Sequence, residues 1–237
     1  MITTVVFDLD DTLYDEVEYC RSGFGAAAEF LAQPLWQGAG LASLPESPSA
    51  ERIFDCLWRQ FTSGNRTKTF DAALDELGTP YDDKLIGELI KVYRNHIPKI
   101  TLPADSRDVL CRLSGKYTLA LLTDGFLPAQ QLKVQALGLE KYFKSIIYTE
   151  QLGREFWKPS TAGFEKLMET LNSKPENMTY IADNEKKDFI APNKLGFLTI
   201  QIIRPARIHT ESSEEPNAMA RCVIHKISEL QGLLEKF

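Results

Sequence analysis

Short apolar runs rich in β-branched residues, each stopping at a polar residue and set between stretches of helical spacing, constrain this chain more than any other feature. The first covers residues 3–7 (TTVVF) and halts at Asp8; residues 117–122, 145–148, 178–182 and 197–203 resemble it. Runs this short and this uniformly apolar suit strands covered on both faces, the situation in parallel sheets. Residues 128–137 and 161–171 carry apolar side chains at helical intervals between them. Alternation at this spacing predicts an α/β core, a Rossmann-like parallel sheet with helices on both faces.

Residues 15–98 break that rhythm and contain no strand pattern. Val17, Cys20, Phe24, Ala27, Ala28 and Leu31 form one apolar helix face, and Ile53, Phe54, Leu57, Trp58 and Phe61 form another. Phe70, Ala73, Leu74 and Leu77 run to Gly78, a helix-ending residue, and Leu85, Leu89, Ile90 and Tyr93 run toward the breaker Pro98. A helical block inserted after the first strand predicts a second, all-helical domain, entered near Tyr14 and left within residues 99–104. The expected division is a discontinuous core, 1–14 and 104–237, around a helical cap, 15–103. Residues 33–48 and 205–217 read as loops.

Composition narrows the function classes. A formal charge of -6 with dispersed basic residues disfavours a nucleic-acid surface. The opening apolar run is too short for a signal core and no later one could span a bilayer, so no membrane role and a cytoplasmic location are expected. The cysteines Cys20, Cys56, Cys111 and Cys222 form neither a CxxC pair nor a dense framework, which fits a reducing compartment. Nothing in the sequence fixes the oligomeric state.

Ligands of parallel α/β sheets bind beyond the carboxyl ends of the strands, so the residues after each apolar run carry the chemistry. The first run leads into Asp8-Leu9-Asp10-Asp11-Thr12, the second into Thr123-Asp124-Gly125 and the fourth into Asp183-Asn184, with Asp188 close behind; Lys158-Pro159 follows the third. Asp8 and Asp10 share a side of an extended segment. Two unit charges about 4 Å apart repel by roughly 4 kcal/mol at an effective dielectric near 20, so such a pair calls for a cation. With Asp183 added, the oxygen-rich set suits Mg2+, which takes few carboxylates together with water and substrate phosphate. One carboxylate could then attack phosphorus while the other handles the leaving-group proton and later activates water. Thr123, the amides after it and Lys158 would hold the transferred phosphoryl oxygens.

Taken together, these segments resemble the haloacid dehalogenase-like superfamily, specifically its phosphatases with a helical cap after the first motif. Residues 7–13 (FDLDDTL) are similar to motif one, 122–125 (LTDG) to motif two, Lys158-Pro159 to motif three, and 181–188 (IADNEKKD) to motif four. The resemblance implies Asp8 as nucleophile and metal ligand, Asp10 as acid/base with its backbone carbonyl on Mg2+, and Asp183 as a further ligand. It also implies Asp188 as a supporting acid, Thr123 and the Asp124 amide as phosphate-binding groups, and Lys158 as the tie between phosphate and nucleophile. Ala182 stands where glycine is usual, and Asp124 where asparagine is common.

The expected activity is Mg2+-dependent hydrolysis of a small phosphorylated metabolite, such as a sugar phosphate or nucleotide, through an aspartyl-phosphate. A phosphomutase with the same chemistry is one alternative, and a receiver-type phospho-acceptor module is another. Asp10 argues against a dehalogenase, and the long helical insertion against a receiver. Arg21 and the basic loop with Arg66 and Lys68 are candidates for substrate selection. Trp36, Trp58 and Trp157 are expected to pack, and His96, His209 and His225 are given no catalytic role because their spacing is not metal-like.

Overall fold

A computed structural model describes residues 1–33 and 48–237. Trp36 and most of the loop expected at residues 33–48 lie outside the described residues. The chain divides into two compact units, Met1–Val17 with Ile100–Phe237, and Glu18–Lys99. No described helix is long and apolar enough to cross a membrane.

The first unit is built on six parallel strands: β1 (Thr4–Phe7), β2 (Thr118–Thr123), β3 (Ser145–Tyr148), β4 (Met178–Ala182), β5 (Leu198–Ile202) and β6 (Cys222–Ile224). They lie in the order β3-β2-β1-β4-β5-β6, so the run that opens the sequence sits inside the sheet. Every residue of β1, β4 and β5 is buried, as strands packed on both faces require. Helices α5 (Ala104–Ser114), α6 (Ala129–Ala136), α7 (Ala162–Leu171), α8 (Ile190–Leu195) and α9 (Leu230–Leu234) belong to this unit. One core cluster joins Val6, Ala120, Leu122, Phe164, Leu167, Tyr180 and Phe189, drawing strand and helix side chains into a single packed layer.

Sequence reading missed β6 and α5. β6 is three residues long, and only Ile224 in it is buried. In α5 the apolar residues Val109, Leu110 and Leu113 are interleaved with charged ones, which masks the helical stripe.

The second unit is helical: most of α1 (Glu16–Leu31), then α2 (Ala50–Thr62), α3 (Thr69–Glu76) and α4 (Asp83–Asn95). Ser49 caps α2 by accepting from Arg52 N–H, and Asp82 caps α4 by accepting from Leu85 N–H. Its centre is aromatic: Phe24 lies 5.4 Å from Phe61, 5.9 Å from Phe70 and 5.2 Å from Tyr93, between ring centroids. Gly23 permits this packing, because a Cβ there would stand 2.5 Å from the Tyr93 ring.

The divide between units falls at the start of α1, between Val17 and Glu18. The first turn of α1 stays with the sheet unit, where the Glu16 N–H donates to Asp11 Oδ1 at 2.9 Å and Glu16 Oε1 lies 3.8 Å from Lys133 Nζ.

Candidate active site

Register explains why residues far apart in sequence meet. Phe7 pairs with Leu121 of β2 on one side and with Ile181 of β4 on the other. Asp8 follows Phe7, its N–H bonded to Ile181 O at 2.8 Å; Thr123 ends β2; and Asp183 follows the last residue of β4. Three neighbouring strands therefore deliver their chemistry to one end of the sheet, where parallel sheets bind ligands. A cavity of about 240 Å³ opens there, walled in part by Asp8, Asp10, Asp124, Asp183, Lys187 and Trp157.

Asp8, Asp183 and Asp188 can each place a carboxylate oxygen within 4.8 Å of the others, and all three residues are buried. Lys158 Nζ, almost wholly enclosed, lies 3.0 Å from Asp8 Oδ1 and 2.7 Å from Asp188 Oδ1, and donates to Tyr180 OH at 3.0 Å. Its ammonium thus pairs with two of the three carboxylates, and Lys187, in the cavity wall, brings a further positive charge near Asp8. The imbalance shows in their acidities. Burial pushes Asp8 up to about 7 against the opposing pull of the Lys158 ammonium, the negative charge of Asp188 adding to the rise. Burial and then Asp188 and Asp8 push Asp183 up to about 9. Lys158 is raised despite the opposing effect of its burial, because Asp188 and Asp8 favour its charged form.

These residues fit a hard divalent cation. Asp183 Oδ2 is buried without a hydrogen-bond partner, the mark of an oxygen awaiting a ligand, and the donor set is all oxygen. A stability prediction follows. In the metal-free protein Asp8 and Asp183 hold protons that the unfolded chain, with its ordinary value of 3.8, releases. Between that value and about 7 or about 9 the folded state binds more protons at these two groups, so their contribution to metal-free stability is present at low pH and is lost as pH rises. The thermal midpoint of chelator-treated protein is expected to fall from about pH 6 to about pH 9, and the increment given by Mg2+ to grow over the same window. A midpoint that is flat, with a constant Mg2+ increment, would contradict this charge balance.

Asp10 occupies a different environment. Its Oδ1 accepts from Tyr14 OH at 2.5 Å and Lys133 Nζ at 2.8 Å, and its Oδ2 accepts from Gln130 Nε2 and Lys133 Nζ, both at 3.0 Å. Burial would raise its pKa, but Lys133 and these donors outweigh burial and hold it below the ordinary carboxylate value. The two acids of the DLD segment are therefore pushed apart, Asp8 upward and Asp10 downward.

Asp124 does not present an unattached charge. Its carboxylate accepts from Thr149 Oγ1 at 2.7 Å and from Lys158 N–H at 3.1 Å, so it fastens the third-strand loop to the second. Asp188 Oδ2 accepts from the Asn184 N–H at 2.9 Å while its other oxygen faces Lys158. Asp11 is structural: its carboxylate accepts from Glu16 N–H and, at 2.6 Å, from Ile208 N–H, which ties the loop after β5 to the first motif.

Several walls of the cavity escaped sequence reading. Phe126 and Trp157 meet edge to face at 5.3 Å, and both line the cavity. His209, from the loop anchored by Asp11, also lines it. Arg21, Arg66 and Lys68 belong to the helical unit. There the Arg21 guanidinium lies 4.5 Å from the centre of the Trp58 ring, that of Arg66 lies 5.7 Å from Phe61, and Lys68 precedes α3.

The family model described as haloacid dehalogenase-like hydrolase matches residues 2–196. Glyceraldehyde 3-phosphate phosphatase of Methanopyrus kandleri is 27% identical, with 86% of this chain and 85% of that one aligned. Ribulose-1,5-bisphosphate 5-phosphatase of Halopiger xanaduensis is 25% identical over 99% of both chains. Among solved structures, the HAD-hydrolase YfnB of Bacillus subtilis, bound to magnesium, superimposes with a TM-score of 0.65 at 23% identity, covering 98% of each chain, and shows the same fold.

Proposed function

Since the chain belongs to the haloacid dehalogenase-like hydrolases and is a hydrolase of their phosphatase type, we propose that Asp8 attacks the phosphorus of a small phosphorylated metabolite with the support of Mg2+. An Asp8 carboxylate oxygen bonds to phosphorus, the bond from phosphorus to the ester oxygen breaks, and Asp10 gives its proton to that oxygen. Water then attacks phosphorus, its proton passes to Asp10, and the bond between phosphorus and Asp8 breaks to release inorganic phosphate. Lys133, Tyr14 and Gln130 hold Asp10 below the ordinary carboxylate value, which favours the basic form that accepts the water's proton in the second step.

The other residues keep charge and geometry in order. The Thr123 hydroxyl and the Asp124 amide hold phosphoryl oxygens, and Lys158 opposes their charge while gripping Asp8. Asp188 is the supporting acid that anchors Lys158 from the far side. Mg2+, held by Asp8, Asp183 and the Asp10 carbonyl, would supply positive charge opposite the transferred group when bound. Phosphorylated sugars and sugar acids are the proposed substrate class, as relatives named for glyceraldehyde 3-phosphate and ribulose-1,5-bisphosphate, and the N-acylneuraminate-9-phosphatase of Rattus norvegicus, suggest.

One observation carries the reading: a buried carboxylate beside two further acids and ion-paired with an enclosed lysine, with a second, separately anchored carboxylate two residues away. The test is a panel of phosphate esters assayed with and without Mg2+, with rapid acid quenching of the turning-over enzyme. Inorganic phosphate, the free alcohol and a hydroxylamine-sensitive phosphate on Asp8 are expected. Transfer of the phosphoryl group to a second hydroxyl, or turnover unaffected by chelation, would contradict it.

A further inference from the structure

Lys133 is buried in the face of α6, with 4% of its side chain exposed. A lysine in such a place gives up its hydration, and an ion pair of this kind adds little net stability over an apolar residue of the same size. Its partner makes sense of it. Nζ reaches both oxygens of Asp10, at 2.8 and 3.0 Å. Three residues earlier on the same helix, the buried Gln130 divides its amide between Asp10 Oδ2 at 3.0 Å and Thr123 Oγ1 at 2.6 Å. Gly125 clears the space: its φ is +139°, and a Cβ there would stand 2.8 Å from Gln130 Cδ.

Resting on the aspartyl-phosphate reading above, we infer that Lys133 and Gln130 are positioning residues that fix the aim of Asp10 toward the water of the second step. A carboxylate free to rotate would offer its lone pair to that water only part of the time. Here Lys133 spans both oxygens while Tyr14 and Gln130 bind one each, so rotation is blocked. Because Nζ contacts both oxygens, one can be released to take the proton while the other stays bound. Gln130 couples this aim to Thr123, so the acid/base and the phosphate-binding hydroxyl keep a fixed relation.

The inference separates the two chemical steps. With 4-nitrophenyl phosphate the leaving group needs no proton, so phosphoryl transfer to Asp8 proceeds without help from Asp10, while attack by water still depends on it. Lys133→Met is expected to lower kcat about 10- to 100-fold, to lower KM with it, and to give a burst of nitrophenolate matched by acid-trapped phosphate on Asp8. Lys133→Gln, which keeps an N–H donor, should recover part of the loss. Gln130→Met, read in the same way, serves if Lys133→Met does not fold. A folded Lys133→Met enzyme with wild-type kcat, or one with lowered kcat but unchanged KM and no trapped phosphate, would overturn the assignment. Turnover by Asp8→Asn would overturn the covalent reading itself, and this assignment with it.

Discussion

Asp8→Asn is expected to lower turnover by about 10⁴-fold or more with the fold retained. An amide is a poor nucleophile, and its neutral oxygen cannot replace a carboxylate in balancing a divalent cation. Asp183 and Asp188 stand nearby, but Asp188 accepts from the Asn184 N–H and is ion-paired with Lys158, which commits it to holding the lysine. The fold should survive because the substitution removes one negative charge from a crowded group of acids. Lys158 loses one partner yet keeps Asp188 and Tyr180. Steady-state rates on the preferred ester, together with thermal unfolding with and without Mg2+, decide the point. Substantial turnover in a folded, Mg2+-loaded variant would remove Asp8 from the nucleophile's role.

The second large effect is expected from Lys158→Met, and it reaches stability as well as rate. Methionine preserves much of the volume, so the change isolates the charge. Without it, Asp8 and Asp188 lose their shared cation in a buried setting, and removing one partner of a buried pair typically costs about 3–5 kcal/mol. The metal-free variant should unfold at clearly lower denaturant concentration, and Mg2+ should recover more stability for it than for the wild type. Turnover should drop by about 10²- to 10³-fold even with saturating Mg2+, because one fixed donor to the phosphoryl oxygens is gone. Chemical denaturation at two Mg2+ concentrations checks the first part and steady-state kinetics the second. Equal metal-free stability of the two proteins would mean that Lys158 is not what holds these acids together.

The legible part of this site was the part written at strand ends. Asp8, Thr123 and Asp183 follow or close apolar runs, so topology alone sends them to a common edge once the sheet is known to be parallel. Lys158 was legible through its place after the third run and through the resemblance of the segments to one family. What stayed hidden is carried by helices and loops. Gln130 and Lys133 sit in a short amphipathic pattern where a lysine ordinarily faces water, and only tertiary packing reveals that it is enclosed against Asp10. Trp157 reads as a core aromatic because nothing in the sequence tells which side of it meets the cavity. The fold was legible where strands are long and buried, and lost at β6, whose three residues carry little apolar signal.

The placement of β1 has a consequence for synthesis. It lies between β2 and β4 in space, but β4 follows it by well over a hundred residues in the chain, and the N–H of Ile208 closes on Asp11 from later still. A growing polypeptide therefore carries Asp8 long before Asp183, Asp188 and the anchoring loop have left the ribosome. The reactive carboxylate cannot be armed piecemeal, and competence arrives only when the far end of the sheet locks beside its beginning.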